Sequence, residues 1–539
     1  MNRKQFLDKL SGKGIKSAFP PVVKLAKYTS SLTNADKKHL LKRTCFGMRP
    51  TDIGLLNNKT IDQILDLILT PDSPPSPPIN TYNTATFTDP FTASLAPWHL
   101  SAFQSEANRN RHKSFKAWWV GRMMNQSISI HEKMAMFWMN HFSAPASDVS
   151  DARFLYSQYL VAHGHALGNF KTMIKAMLLD PSMLRAFGGY VSTASAPNEN
   201  LGRELQELYT IGIPTSEQDV QAAAKILTGY QIDYTNVRYV FSLNRHDKTT
   251  KQFSSFYNNA TVASDGVNEL DGLLNIIFAK DEVALHICRK LYRYFVYWEI
   301  DQTTESEVIV PLAQIFRSNN YNITPVLRAL LQSNEFFDTD NCSNMIKSPF
   351  DFIFGIIKER RIDAPNVSTQ PYKAYALWYE LALQAYSLGQ YLAEPPSVAG
   401  WQAWHQGPWY HQYWINADTL AKRVQFMSSI LSPTGFKYDN NTSAIRCDML
   451  FQVTNSVNSS SYLNLMESLF EDITLLEFSS QLKNLLKDYL LKSGENTDSF
   501  NALMDSAMVS KNPLAQTDLE TRIRNLICHI MWIPEFQLH

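Results

Sequence analysis

Side chains able to do chemistry concentrate in a few stretches of this sequence, and the densest is Pro197–Gly212. Asn200, Glu204 and Glu207 recur there at i, i+4 and i+7, a spacing that sets them along one side of a single helix. Both helix ends are specified locally. Asn198 can cap the first N–H groups, Glu199 sits in the first turn where the dipole favours a carboxylate, and Gly212 can take the left-handed position after the last turn. Leu201, Leu205, Leu208 and Ile211 form the apolar stripe, and Glu199, Arg203, Gln206 and Thr210 point away from it. Asn200, Glu204 and Glu207 border the stripe, where partial burial obliges them to find partners. A structural Arg or Lys, backbone N–H groups, a metal ion or a substrate would each serve, and a structural ion pair is the commonest of these.

Four histidines belong to the same question. His141 falls on the apolar face of a helix within Ser114–Phe142, beside Asn140 near the helix end, and a lone histidine there is most often a core residue bonded at one nitrogen. His163 and His165 are two residues apart and cannot share a helix face. His246, followed by Asp247, sits in a loop delivered by an expected β-hairpin. Packing the apolar faces of the His141 and Glu204 helices together, with the hairpin folding back, predicts one buried polar centre of His141, Glu204, Glu207, His246 and Asp247. Glu204, Glu207, His141 and His246 are its candidate acid–base groups, since burial moves a carboxylate pKa towards neutrality. His141, Glu204, His246 and Asp247 are its candidate ligands for a divalent metal, with zinc, manganese or iron suiting that donor set. A purely structural centre would instead bond Glu204 to Arg or Lys.

A third concentration is aromatic. Glu394-Pro395-Pro396-Ser397-Val398-Ala399-Gly400-Trp401 continues through Trp404, His405, Trp409, Tyr410, His411 and Trp414, and its prolines, glycines and indoles describe a rigid loop. Such a loop either lids the core or lines a pocket for a sugar or peptide. Trp401, Trp404, His405 and Trp409, with Asn200 and Arg203, are the candidate substrate-binding residues, and the loop is expected to lie against the 198–211 helix.

The elements that must position these groups are mostly helices. The chain has 539 residues, 45% of them hydrophobic and 12% aromatic, enough for a large folded body. Lys plus Arg and Asp plus Glu are 50 each, so no global field draws it to nucleic acid or an anionic membrane. Its five cysteines stand singly, without a zinc-ribbon spacing or a disulfide framework. No run of 18 apolar residues predicts a membrane span. Asn2-Arg3-Lys4-Gln5-Phe6-Leu7-Asp8 is similar to a twin-arginine export motif with Lys for the second Arg, yet Lys13, Lys16, Pro20, Pro21 and Lys24 interrupt the apolar run such a motif needs after it. Export to the periplasm or beyond and retention in the cytoplasm are both open.

Residues 1–33 read as an N-terminal extension, 34–429 as a helical core and 430–539 as a helical part completing the same body. Asn34 or Asp36 begins one helix and Thr51 or Thr60 the next. Pro71 to Pro97 is a stiff connector running over the surface. Within 229–243, Tyr230, Ile232 and Tyr234, then Val237, Tyr239 and Phe241, alternate with polar residues across Thr235-Asn236, as a hairpin does. Arg289, Lys290 and Arg293 are assigned to a solvated helix face, and residues 433–460 to a polar surface excursion preceding a helix over 461–492. Apolar helix ends closed by polar or proline stops, as at Leu178-Leu179-Asp180-Pro181 and Trp532-Ile533-Pro534, suggest packed helix pairs. The fold class expected is mainly α, a multi-helix body of helix pairs with one small β-hairpin inserted.

Several motifs occur in an order that resembles the DUF1800 proteins: Glu132-Lys133-Met134 through Phe137-Trp138-Met139-Asn140-His141-Phe142; Ala166-Leu167-Gly168-Asn169-Phe170; Pro197-Asn198-Glu199-Asn200 with Arg203-Glu204 and Glu207-Leu208; His246-Asp247 with Lys251; Lys290-Leu291; and Pro395 to Trp401. The chain departs from that pattern at Met139, where a histidine is expected, and at Gly188-Gly189, where Asp-Asn is expected. The resemblance implies a bacterial protein of uncharacterised function, often exported and often neighbouring a second family with a sulfatase-like fold, which points to that neighbour as a partner. No HExxH, P-loop, GxSxG or strand-following GxGxxG is present. Metal sites assembled from separate helices need no local signature, however. The expected function is therefore metal-assisted hydrolysis or modification of an extracellular polymer or peptide, with non-catalytic binding or assembly beside a partner protein as the alternative.

Overall fold

The computed structural model describes residues 24–455, 465, 468–470, 473 and 479–539. The twin-arginine-like stretch and much of the helix expected over 461–492 lie outside the described residues. The helices that frame the site are α1 (Asn34–Thr44), α2 (Ser105–Asn125), α3 (His131–His141), α4 (Ala152–Gly164), α5 (Glu199–Glu204), α6 (Glu217–Ile226), α7 (Glu269–Phe278), α8 (Asp281–Phe295), α9 (Pro349–Glu359), α10 (Pro371–Ser387), α11 (Ala417–Leu431) and α12 (Pro513–Trp532). Shorter helices fill the intervals.

Local rules set most of the boundaries. Thr33, rather than Asn34 or Asp36, caps α1 in a reciprocal box with Asp36, and Thr60 does the same with Gln63 for Ile61–Ile68. Asn198 caps α5, Ser216 caps α6 and Asn416 caps α11. The expected hairpin pairs β1 (Tyr230–Asp233) with β2 (Arg238–Phe241) antiparallel, Tyr230 opposite Phe241. The Asp233 carboxylate accepts from the backbone N–H groups of Thr235 and Asn236, which closes the turn without a glycine.

The mainly α character agrees with the sequence, but two further ladders join the hairpin: β3 (Lys251–Gln252) with β4 (Thr261–Val262), and β5 (Phe436–Tyr438) with β6 (Ser443–Ile445). Strands of two or three residues are too short to print an alternation. The connector 71–97 is also more deeply held than a surface run. Asn80, Asp89 and Thr92 are buried, and Asp89 takes a forked bond from the buried Arg111 of α2. Residues 433–460 likewise bury Tyr438, Ile445 and Cys447.

One hydrophobic cluster runs from Leu40 to Phe536. The last residues close onto it: Lys347 N–H donates to Gln537 O at 2.8 Å, and Arg524 of α12 donates to Leu431 O of α11 at 2.8 Å. No described helix is long and apolar enough to cross a membrane.

Candidate functional site

The stretch from Glu199 to Thr210 is not one regular helix. α5 ends at Glu204 and a π turn follows over Leu205–Thr210. Ile211 N–H reaches back to Gln206 O at 2.8 Å, and Thr210 Oγ1 donates to Leu205 O at 2.6 Å. A widened turn frees carbonyls from the regular ladder, and π turns concentrate at functional sites. The segment ends at Gly212, so the carbonyls of its last turn have no amide partner in the helix, and two of them are used: His286 Nε2 donates to Leu208 O at 3.0 Å and His141 Nε2 to Tyr209 O at 3.1 Å. Gly212, with φ +78°, ends the segment as expected, and a Cβ there would overlap the His286 ring.

The π turn also corrects the face assignment. Gln206 and Thr210, expected outside, are fully buried. Gln206 Oε1 accepts from Tyr257 at 2.9 Å, and its Nε2 donates to Gly202 O at 3.0 Å. The extra residue in the turn rotates everything after Glu204 relative to a regular wheel, so a polar side chain arrives against α6 and needs these partners.

His141 sits at the end of α3 with both nitrogens engaged. Because Nε2–H donates to Tyr209 O, Nδ1 is the acceptor, and Lys290 Nζ of α8 donates to it at 3.0 Å. Burial, then the Lys290 charge, holds the His141 pKa well below the ordinary histidine range. His286, one turn before Lys290, is lowered to about 3 by burial and then by Lys290. Lys290 itself is lowered to about 8, by burial first and Arg293 second. It is partly buried rather than on the solvated face expected for it.

Three unsatisfied groups stand around this pair. The Tyr209 phenol is buried without a hydrogen-bond partner, and burial followed by the nearby Glu204 charge keeps it protonated. Glu204 is partly buried and makes no hydrogen bond or ion pair with any described residue; burial, then Glu207, raises its pKa. His405 Nε2 is buried without a partner, and Lys290 contributes, after burial, to lowering that pKa. The structural alternative required Glu204 to hold an Arg or Lys, and it holds neither.

The neighbours of Glu204 on α5 have ordinary work. Arg203 forks onto Glu217 at 2.9 and 2.8 Å, which ties α5 to α6, and Glu207 Oε1, in the π turn, accepts from Thr215 N–H just before α6 at 3.0 Å. Asn200 is exposed. His246 and Asp247 form a different cluster altogether. His246 Nε2 bonds Glu269 Oε1 of α7 at 2.9 Å and its Nδ1 faces Thr228 O at 2.9 Å, while Lys251 pairs with Glu269 at 2.5 Å and Asp247 accepts from Thr249 at 2.8 Å. The expected convergence on His141 fails because β2 leads its following loop to α7 instead. Both His246 nitrogens face partners, and Glu207 is taken up by Thr215, so the expected ligand set is not assembled. Among the described residues no three His, Cys, Asp or Glu side chains stand where they could share an ion.

The aromatic loop meets α3 one residue before His141. Trp401 N–H donates to Asn140 Oδ1 at 2.8 Å, and Gly400, with φ +93°, leaves no room for a Cβ against that side chain. Trp401 is buried, Trp404 packs edge-on to Trp401, Trp414 and Tyr294, and Trp409 is 55% exposed. Loop and π turn thus engage consecutive residues, Asn140 and His141, at the same helix end.

The sequence model of the family described as proteins of unknown function, DUF1800, matches residues 39–538. The chain belongs to the DUF1800 family. No curated protein and no solved structure matches it. Within this DUF1800 chain, the residues that reading by spacing passes over are Lys290, His286 and Tyr209. A signal existed for the first two: His286, Lys290 and Arg293 recur at i, i+4 and i+7 beside the apolar Val283, Ile287 and Leu291, the same border position that singled out Glu204. Tyr209 lay hidden in a helix whose phase the π turn changes.

Proposed function

We propose that this DUF1800 protein is an enzyme that hydrolyses or modifies a polymer or peptide outside the cytoplasm, moving protons through Lys290 and Glu204. The observation that carries the reading is a lysine with its pKa lowered to about 8, donating to a neutral imidazole 3.0 Å away. A lysine in that range exchanges its proton at working pH, and groups so tuned concentrate at active sites. His141 positions Lys290 through a fixed tautomer, set by the Tyr209 carbonyl. Tyr209 O–H supplies a donor for a developing oxyanion and Glu204 a carboxylate with a raised pKa, both without partners among the described residues. No metal is needed for this proton inventory, and the residues expected to bind one lie in two places.

The test is a hydrolysis panel of p-nitrophenyl esters, glycosides and short peptides, run with metal analysis of the purified protein. Turnover should fall at least about a hundredfold in Lys290→Met and Glu204→Gln. Turnover unaltered in both variants, or a stoichiometric metal that departs with Glu204→Gln, overturns the proposal. The exposed Trp409 favours a second reading, in which the aromatic loop docks a partner with a sulfatase-like fold without catalysis. Absence of turnover together with a partner lost on Trp409→Ala would establish that reading instead.

A further inference from the structure

At the opposite end of α3 from His141, a cavity of about 570 Å³ opens between the proline-rich connector, α2 and α10. This is inside the ~300–1,000 Å³ range of small-molecule sites. Trp118, Tyr375 and Trp378 give it an aromatic wall. The wall is fastened from behind: Trp118 Nε1 donates to Ser76 O at 2.9 Å, and Tyr375 Oη accepts from Ile79 N–H at 3.1 Å. The Trp378 ring lies so close to Gly121 of α2 that any Cβ there would overlap it.

Two polar atoms in this lining have no partner. Trp378 is 4% exposed and its Nε1 bonds nothing, whereas the indoles of Trp98, Trp118, Trp119 and Trp138 all donate. Gln126 is 9% exposed; its Nε2 donates to Ser129 O and its Oε1 bonds nothing. Flipping the amide cannot help, because Ser129 O needs the N–H group. A spare donor and a spare acceptor therefore belong to two side chains that line one cavity, each atom desolvated without a compensating bond. The charged lining side chains, Arg122 and Asp72, lie 3.9 Å apart, and Arg122 also meets the buried Glu132 at 2.9 Å, so the lining offers little net charge.

We infer that this cavity is a binding site for a neutral polyhydroxylated ligand, a short oligosaccharide of two or three rings. A hydroxyl both donates and accepts, which matches the Gln126 and Trp378 pair, and sugar C–H faces pack on aromatic walls. An extended peptide fits less well: the connector side of the lining includes Pro77, which has no N–H to pair with a backbone. The inference is independent of the acid–base reading, because it uses none of the groups around Lys290.

The experiment is calorimetric titration of the full chain with cellobiose, maltose, chitobiose and xylobiose, with tryptophan fluorescence as a second readout. At least one disaccharide should bind with millimolar or tighter affinity. Trp378→Phe should weaken it about tenfold, the equivalent of one hydrogen bond. Val367→Trp, a substitution at a 37% exposed rim position, should abolish binding while leaving the core untouched, so it decides the matter if Trp378→Phe folds poorly. Lys290→Met should bind as the parent does. Failure of all four sugars, binding that survives Val367→Trp, or a proline-rich peptide competing for this cavity would overturn the inference.

Discussion

Replacing Lys290 with methionine separates the cost of the proposed site from its use. The lysine pKa is lowered from 10.5 to about 8, so burying the ammonium costs the folded state up to about 3 kcal/mol. Removing it also strips His141 Nδ1 of its donor, a loss of about 1–3 kcal/mol. At neutral pH the two nearly cancel, and Lys290→Met should match the parent or exceed it by up to about 2 kcal/mol. The pH dependence is the sharper observable. Between about 8 and 10.5 the unfolded parent holds a proton that the folded parent has released, so parental stability rises with pH across that window. The variant has no such proton. Urea unfolding followed by circular dichroism at about pH 7 and about pH 9.5 should show the parent gaining roughly 2 kcal/mol on the variant over that interval. Stability curves running parallel from pH 7 to 9.5 would refute the argument that Lys290 is strained by burial.

Three further outcomes are expected. The Asp180 carboxyl, raised to about 7 by burial, holds its proton in the folded state when the unfolded chain has lost it, so Asp180→Asn should equal the parent near pH 4 and exceed its stability by up to about 4 kcal/mol above pH 7, as read by denaturant midpoints. Glu132→Gln uncouples the buried carboxylate that holds Arg122, Tyr159 and Trp119; because Arg122 keeps some solvent contact, the expected loss is about 2–3 kcal/mol, below that of a fully buried pair, measured by thermal unfolding. Gly400→Ala places a Cβ on Asn140 at a backbone conformation that non-glycine residues rarely adopt, and should cost about 1–3 kcal/mol and broaden the Trp401 and Trp404 signals in near-ultraviolet dichroism.

Periodicity and caps carried most of the fold in the sequence. Asn198 and Thr60 cap where their positions predict, and the strand alternation around Thr235-Asn236 became a hairpin. Ladders of two or three residues left no period to read, and a buried ion pair such as Asp89 with Arg111 joins segments whose spacing says nothing about their meeting. At the site, the border position of Glu204 and the apolar-face position of His141 were legible because each is a local helical property. The direction taken by the chain after β2 was not, and it sent His246 to Glu269. The charge of Lys290 suggested solvent, although its neighbours Val283, Ile287 and Leu291 placed it on the same kind of border as Glu204.

The π turn also gives this chain an unusual tolerance. A π turn holds one residue more than the regular turn it replaces, so deleting a single residue between Leu205 and Thr210 would restore an ordinary helix without altering what lies on either side. The Leu208 and Tyr209 carbonyls would turn relative to α3 and α8, and the two imidazoles would lose their alignment with them. Folding and chemistry are therefore separable here by chain length at one position: a protein one residue shorter would keep its architecture and lose the alignment of its imidazoles.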